Sequence, residues 1–434
     1  MKRLVVLCLL LVMLLTSATG CTKRGGALSP YDVAVEQGFT GSEQEWLDSL
    51  KGDSAYDLWL KAGNVGTFDD FLASLSPTIH HHQIHITTTQ GDVAVSSKAL
   101  LSVVSVNSTF SQGVSTYSGA GSGVIYQLDK VKGDAYIITN FHVIYDSDSK
   151  GNGISDDIKV SLYGMEHAQY AIPATYVGGS VYYDIAVLKV RDSEVLRQSD
   201  AMAVSLLPES ENVSVGQTAI AVGNPEALGI SVTKGIVCVD SESIALTTAD
   251  ESATVTMRVI RIDTPINPGN SGGGLFDAEG RLIGITNAKI IDVSTESIGY
   301  AIPVKVATRV ADNIIDYCAD GSHTTMQRCV LGVTLGASAS KAIYDIKTGK
   351  VTIVEAVTVT KISQGSLVEG KIKVDDIILS VKIDGKIYKI TRTFMLVDAM
   401  LNVRVGDVVE MVVLRDGKEV YVNFTITEDC VISY

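Results

Sequence analysis

Short apolar runs bounded by glycine or polar residues dominate the chain after residue 90. The runs at 135–144, 184–190, 259–262 and 282–285 are short and rich in Val, Ile and Leu. Such lengths and compositions are typical of β-strands. Together with a low aromatic content and 39 glycines, they predict a mostly β fold built of small barrels.

An internal repeat precedes these strands. The segments at 29–50 and 55–75 have aromatic residues, glycines and leucines at matching positions. Each copy predicts two short helices. The signals are a glycine that ends each first helix and a capping box that opens each second one: Gly38, Gly63, Ser42-x-x-Glu45 and Thr67-x-x-Asp70. A solenoid needs three or more copies, so this pair predicts a helical spacer.

The first twenty residues predict export. Lys2 and Arg3 precede an apolar run at 4–15 that is too short to span a bilayer as a stable helix. The small residues of 17–20 stand directly before Cys21 and resemble a bacterial lipobox. Cleavage there and lipidation of Cys21 would anchor the protein outside the cytoplasmic membrane. Ordinary signal-peptide cleavage and release is the alternative.

Length and charge limit the remaining possibilities. At 434 residues and 46% hydrophobic content, the chain can form two folded domains with appendages. Its net charge of -14 argues against nucleic acid or anionic lipid as a partner, because both require a basic patch.

Four cysteines remain once Cys8 leaves with the signal and Cys21 is lipidated. They are Cys238, Cys318, Cys329 and Cys430. A bridge between Cys318 and Cys329 would close a short loop and contribute roughly 2–3 kcal/mol. Free thiols are the alternative.

Four clustered histidines, which could in principle bind Zn or Ni, follow the helical repeats. They are His80, His81, His82 and His85. No carboxylate or cysteine frame accompanies them, so we expect a solvated linker and no metal site.

A serine nucleophile is indicated by the segment at 267–274, where Ser271 stands among glycines between two strand-like runs. Glycines let consecutive backbone amides point at one small volume, which can then hold an oxyanion. A serine hydroxyl needs a base and an orienting carboxylate. His142 ends one apolar run and Asp184 opens another, so both are candidates.

The order His, Asp, Ser discriminates between hydrolase folds. Gly269 to Gly273 also matches the G-x-S-x-G pattern of α/β-hydrolases, but those enzymes place the acid and then the histidine after the serine. The only histidine after Ser271 is His323, which lies in a linker-like segment. The subtilisin order fails as well unless the acid lies before His142. The observed order is that of chymotrypsin.

Three sequence blocks, at 139–143, 184–189 and 263–273, resemble the signatures of the high-temperature-requirement (HtrA, DegP-like) serine proteases. Supporting segments at 121–125, 232–237 and 299–303 extend the resemblance over roughly 100–317. It implies two packed antiparallel β-barrels with a catalytic triad at their junction. It also implies that Ser271 is the nucleophile, His142 the general base and Asp184 the group that orients the imidazole.

The same resemblance implies an oxyanion hole from the backbone amides of Gly269, Asn270 and Ser271. One such donor is worth about 3–4 kcal/mol of barrier. The family usually has proline after the Gly-Gly pair, where this chain has Gly274, and we expect the change to loosen the loop. Pro265 and Ile266 stand where an acid would select Lys or Arg substrates, so the S1 pocket should take small or medium aliphatic residues.

The last hundred residues resemble a PDZ domain, which captures a peptide C-terminus as an added strand. The resemblance makes Leu331, Gly332 and Val333 the carboxylate loop and places the rest of the groove near Phe394 to Ala399. An ordinary small β domain that binds nothing is the alternative.

The expected layout is a signal peptide at 1–20, helical repeats at 21–78, a linker at 79–97, a trypsin-like protease at 98–319 and a PDZ domain at 328–434. The expected function is ATP-independent cleavage of unfolded exported proteins, without a cofactor or nucleic acid, in a homotrimer. A catalytically silent, peptide-binding lipoprotein is the alternative.

Overall fold

The chain forms two units, Met1–Gln83 and Ile84–Tyr434. A computed structural model describes residues 30–50, 60, 61, 63, 65–67, 91–112, 114–288 and 298–433. The predicted signal peptide with Cys21, most of the second helical repeat, and His80, His81, His82 and His85 lie outside these residues.

The described part of the first unit is one helical repeat. Helices α1 (Pro30–Glu36) and α2 (Glu43–Leu50) are joined by a short turn. Ser42 donates from its backbone N and from Oγ to Glu45 Oε2 at 2.7 and 2.9 Å, and Glu45 N donates back to Ser42 Oγ at 3.3 Å. These contacts confirm the predicted capping box and the two helices of the first copy.

The second unit begins with a closed six-stranded barrel. Its neighbouring strands follow the order β1-β2-β3-β6-β5-β4, and β4 pairs back to β1. Valine and isoleucine side chains that alternate along the strands fill its interior. The strands are β1 Val103–Gln112, β2 Ser115–Asp129, β3 Asp134–Thr139, β4 Asp157–Leu162, β5 Ile172–Ser180 and β6 Ile185–Val190.

A second closed barrel follows, with the strand order β10-β11-β12-β9-β8-β7. Its core is continuous with residues of β2, β3 and β6, so the two barrels share a buried face. These elements confirm the predicted mostly β, two-barrel fold. The strands are β7 Thr218–Gly223, β8 Ser231–Thr247, β9 Thr254–Ile262, β10 Gly274–Phe276, β11 Leu282–Thr286 and β12 Gly299–Pro303.

Three helices accompany the barrels: α3 Asp92–Leu100, α4 Glu194–Gln198 and α5 Val304–Cys318. The longest, α5, buries apolar residues at intervals of three and four and packs across strands of both barrels. Its close approach to β5 depends on Gly178, where an added Cβ would lie 2.8 Å from Cys318 Sγ.

The C-terminal part forms a separate sheet with its own core. The order is β14-β15-β16-β18-β19, so β14 is an edge strand, and β17 pairs with β16. A two-stranded ladder of β13 and β20 lies beside it, and helix α6 (Thr393–Met400) covers one side. The strands are β13 Gln327–Cys329, β14 Val333–Asp345, β15 Lys350–Ile362, β16 Ile377–Ile383, β17 Lys386–Lys389, β18 Val408–Arg415, β19 Lys418–Thr425 and β20 Val431–Ser433.

Of the two alternatives left open for Cys318 and Cys329, the structure has the free thiols. Cys318 is buried at the end of α5 in the core of the second barrel, whereas Cys329 is buried in the core of the C-terminal sheet. Two thiols that belong to different cores cannot bond without unpacking one of them.

Two features are absent from the residues that the structure describes. No helix there has the length and apolar character needed to cross a membrane. The same residues contain no cluster of three or more His, Cys, Asp or Glu side chains arranged to hold a metal ion.

Candidate active site

The pairing of β3 with β6 brings His142 and Asp184 together. His142 lies in a 3-10 turn directly after β3, and Asp184 directly precedes β6. Because Thr139 pairs with Ala186 in this ladder, the residues just beyond the pair meet at one end of the barrel. Asp184 Oδ2 lies 2.7 Å from His142 Nδ1, and Asp184 Oδ1 accepts from His142 N at 2.9 Å.

The Asp184 carboxylate is buried but richly hydrogen-bonded. It is 3% exposed, and Oδ2 also accepts from Asn287 Nδ2 at 2.7 Å. Burial alone would raise the pKa of Asp184. The positive charge available on His142, together with hydrogen bonds from His142 and Asn287, outweighs burial and holds that pKa below its ordinary value. The carboxylate is therefore ionised and oriented toward the imidazole.

The backbone at Asp184 is also unusual, with φ at 50° in the left-handed region. Its carbonyl oxygen accepts from Phe141 N at 3.2 Å and from Asn140 Nδ2 at 2.8 Å. Residues other than glycine rarely adopt this conformation, and they cluster at functional sites. The contacts of Asn140 and Phe141 fix the peptide in the orientation that directs the carboxylate at His142.

Ser271 approaches from the second barrel, on the loop between β9 and β10. A turn in this loop is closed by Asn270 N donating to Asn267 O at 3.0 Å, and Gly269 at its third position has φ of 95°. A positive φ there is the requirement of a type II turn, which explains glycine. The turn thus occupies the amide of Asn270, one of the three expected oxyanion donors. Among the described residues, the amides of Gly269 and Ser271 have no acceptor.

The hydroxyl of Ser271 has a partner other than the imidazole. Its Oγ accepts from Ala288 N at 3.0 Å, and no hydrogen bond in the described residues joins it to His142. Ser271 is 4% exposed. Its backbone oxygen accepts from Ser122 N of β2 at 2.8 Å, so the serine lies at the junction of the two barrels.

Ser122 ties the serine loop to the first barrel. Its Oγ donates to Gly269 O at 2.7 Å and accepts from Asn224 N at 2.8 Å, and its backbone N donates to Ser271 O at 2.8 Å. Ser122 is fully buried. One side chain thus fixes the carbonyl of Gly269 and, through it, the orientation of the turn.

Gly274, where we expected the loop to loosen, already belongs to a strand. Gly274 is the first residue of β10 and pairs with Ile285 on one side and Val222 on the other. The Phe276 ring occupies the space that a side chain would need, since an added Cβ would lie 2.4 Å from Phe276 Cε2. The Phe276 ring, which belongs to the same strand, thus packs directly against the backbone of Gly274.

The two residues expected at the S1 pocket differ in their surroundings. Pro265 is exposed, and its carbonyl accepts from Thr233 Oγ1 at 2.9 Å. Ile266 is buried, and its Cγ1 lies 2.8 Å from where a Cβ of Gly299 would stand. Ile266 and Gly299 therefore face each other, with an apolar surface and no acid between them.

A groove lies beside the edge strand β14, with a volume of about 400 Å³. Leu331, Gly332 and Val333 form one end of it, and Phe394 and Val397 of α6 line its side. Gly332 has φ of 74°, and an added Cβ would lie 2.5 Å from Ser366 Cβ. The three residues expected at the carboxylate loop therefore line the same groove as Phe394 and Val397, from the segment expected to complete it.

Two residues of the site could not be predicted from the sequence. Asn287 follows the apolar run at 282–285, but an amide at the end of a strand has many possible partners. Ser122 lies in the segment at 121–125, where nothing in the sequence assigns a role to its hydroxyl. The glycines on either side of Ser122 were the available signal, because they permit the close contact between barrels.

The chain was compared with known sequences and families. The family model described as a trypsin-like peptidase domain matches residues 121–285. Serine protease Do-like HtrA of Bacillus subtilis (strain 168) is 31% identical over 371 residues, covering 83% of this chain and 72% of that protein. A probable periplasmic serine endoprotease DegP-like of Halomonas elongata is 33% identical over 309 residues, which cover 70% of this chain and 56% of that protein.

The solved structures include an HtrA-type protease, AlgW, with a tripeptide. It matches with a TM-score of 0.50 and 26% sequence identity, over 77% of this chain and 96% of that chain. The match therefore extends beyond the two barrels.

Proposed function

Because this chain belongs to the HtrA family of trypsin-like serine proteases and is a serine endopeptidase, we propose that it cleaves unfolded or damaged exported proteins. The proposal assigns the chemistry to Ser271, His142 and Asp184. The contact of 2.7 Å between Asp184 and His142 Nδ1 supports it most strongly. With Nδ1 donating to the carboxylate, Nε2 is left as the acceptor that a general base requires.

The proposed reaction begins with rotation of Ser271 Oγ away from Ala288 N toward His142 Nε2. His142 takes the hydroxyl proton as Oγ attacks the scissile carbonyl, and the amides of Gly269 and Ser271 donate to the developing oxyanion. His142 then gives its proton to the leaving amine. Water, deprotonated by the same imidazole, hydrolyses the acyl-enzyme, and no cofactor is needed.

We further propose that the C-terminal sheet is a PDZ domain that binds peptide C-termini along β14. Support comes from the groove at Leu331 to Val333 and from the free edge of β14, to which an extended peptide can add as a strand. The related AlgW structure contains a tripeptide. The proposed location is outside the cytoplasm, anchored by lipid on Cys21. A homotrimer is proposed from the family resemblance alone.

The test of catalysis compares the parent protein with Ser271→Ala and with Ser115→Ala, which alters an exposed serine at the start of β2. We expect Ser271→Ala to abolish both casein cleavage and labelling by a fluorophosphonate, while Ser115→Ala keeps both. Casein cleavage by Ser271→Ala at the parent rate would refute the assignment. Peptide binding by the parent without labelling at Ser271 would instead favour the silent, peptide-binding alternative.

A further inference from the structure

A second and larger cavity, of about 1020 Å³, lies where the second barrel meets the C-terminal sheet. Its walls come from the segment at 207–214, from β9 and α5, and from β15, β17 and α6. We call it the junction chamber. None of the proposed catalytic residues lines it. The peptide groove beside β14 is a different cavity, and Arg258, Phe394 and Asp398 form a wall common to both.

The junction chamber is basic although the whole chain is acidic. Seven cationic side chains and four carboxylates line it, which leaves an excess of three positive charges in a protein of net charge -14. The cations are Arg258, Lys305, Arg309, Lys350, Lys386, Lys389 and Arg392. The carboxylates are Glu209, Glu211, Asp240 and Asp398.

All four carboxylates are already engaged. Three pair with the three chamber arginines, and the fourth pairs with an arginine outside the chamber. Lys386 also shares the carboxylate of Glu209 at 3.8 Å. The pairs are Arg258 with Asp398, Arg392 with Asp240, Arg309 with Glu209 at 2.7 Å, and Arg281 with Glu211 at 3.1 Å.

The arginines are under-satisfied. Each of Arg258, Arg309 and Arg392 makes one hydrogen bond to its carboxylate, through a single terminal nitrogen. In all three the Nε atom is buried and has no hydrogen-bond partner among the described residues. Side chains of Arg309 and Arg392 are 6% and 10% exposed, so solvent reaches little of either guanidinium. Buried guanidinium donors normally find acceptors.

The lysines supply the uncompensated charge. Lys305 Nζ donates only to neutral oxygens, namely Glu209 O at 2.9 Å, Glu211 O at 2.6 Å and Asn212 Oδ1 at 3.1 Å. Lys350 and Lys389 have no carboxylate within ion-pair distance among the described residues, and both are exposed and line the chamber. These two ammonium groups thus have no paired counter-charge in the part of the chain that the structure describes.

We propose that the junction chamber binds a compact polyanion of the oligophosphate class. Such an anion carries several negative charges and many acceptor oxygens in a small volume, which matches the two unpaired lysines, Lys350 and Lys389, and the unused terminal N–H donors of the guanidinium groups. The net negative charge of the chain disfavours a long nucleic acid. By contacting Arg309 on α5 and Lys350 and Lys389 on the C-terminal sheet, the anion would link the two parts of the second unit.

The experiment is calorimetric titration of sodium tripolyphosphate into the full chain at low ionic strength, with citrate as a trivalent carboxylate for comparison. We expect saturable binding of tripolyphosphate, weakening as salt is added because exposed charges are screened, and weaker binding of citrate. The double variant Lys350→Glu/Lys389→Glu should lose about tenfold or more in affinity through local charge reversal.

The matched control is Lys130→Glu/Lys418→Glu, which makes the same change in net charge at exposed lysines outside the chamber. Its affinity should stay within about twofold of the parent, since distant exposed charges are screened. The proposal is overturned if tripolyphosphate shows no saturable binding, if both double variants weaken it equally, or if Lys350→Glu/Lys389→Glu leaves it unchanged. Citrate binding as tightly as tripolyphosphate would overturn the oligophosphate assignment.

Discussion

The contact from Asn287 to Asp184 predicts that Asn287→Ala will be a strongly impaired enzyme with a nearly intact fold. Asn287 Nδ2 supplies one of three hydrogen bonds to the buried carboxylate, at 2.7 Å. A hydrogen bond to a charged group contributes about 1.5–3 kcal/mol. If the transition state loses this stabilisation, because Asp184 is less well held against the imidazolium of His142, kcat should fall about 10- to 100-fold.

The same substitution has a defined effect on pH dependence. The pKa of Asp184 is held below its ordinary value, so its stabilising contribution is present above the unfolded pKa and is lost as pH falls through the folded one. Removing the Asn287 amide raises the folded pKa. The acid limb of both stability and kcat/KM should therefore move to higher pH in Asn287→Ala.

The assay is peptide hydrolysis from pH 4 to 9, a range of about five units around the ordinary carboxyl and imidazole values, with thermal unfolding measured in parallel. Asn313→Ala is the matched control, because Asn313 is equally buried and bonded to Gln327 but lies away from the site. It should lose stability and keep kcat. A profile and kcat for Asn287→Ala within twofold of the parent would refute the positioning role.

Two further predictions concern the turn and the groove. Ser122→Ala removes the donor to Gly269 O and the acceptor for Asn224 N, which costs about 1–3 kcal/mol, so kcat should fall about tenfold with KM little changed. The control is Ser102→Ala, which alters another buried serine bonded to a backbone carbonyl and should keep kcat. Equal kcat in the two variants would contradict the role given to Ser122. Gly332→Ala should lower peptide affinity measured by fluorescence polarisation, because the φ of 74° and the contact with Ser366 together cost about 1–3 kcal/mol. Gly370→Ala is the control for backbone strain alone, because Gly370 has φ of 78° and open space around it. An equal loss of affinity in Gly370→Ala would contradict a specific role of Gly332 in the groove.

The sequence predicted the elements of the site better than their contacts. The order of His142, Asp184 and Ser271 excluded two other hydrolase folds, and the resemblance to the HtrA proteases implied two barrels; the comparisons confirm the family and the fold. The meeting of Asn287 with Asp184 depends on how one barrel packs against the other, which no local pattern encodes. The same holds for Ser122 and Gly269, which are far apart in the chain.

Two local packing features were not evident from the sequence. Cys318 and Cys329 are close in sequence, but each thiol is buried in a different core, and spacing alone does not reveal that division. Gly274 suggested a loose loop because glycine lacks a side chain. The ring of Phe276, two residues later, fills the missing volume, and this depends on the strand twist and the pairing with β11.

The division of the site between the barrels has a consequence for biosynthesis. The ribosome makes the histidine and the carboxylate on the first barrel before it makes Ser271 and Asn287 on the second. An unfinished chain that ends between the barrels contains the proposed acid and base but not the proposed nucleophile. The proposed hydrolysis therefore becomes possible only after the second barrel has been made and has packed against the first.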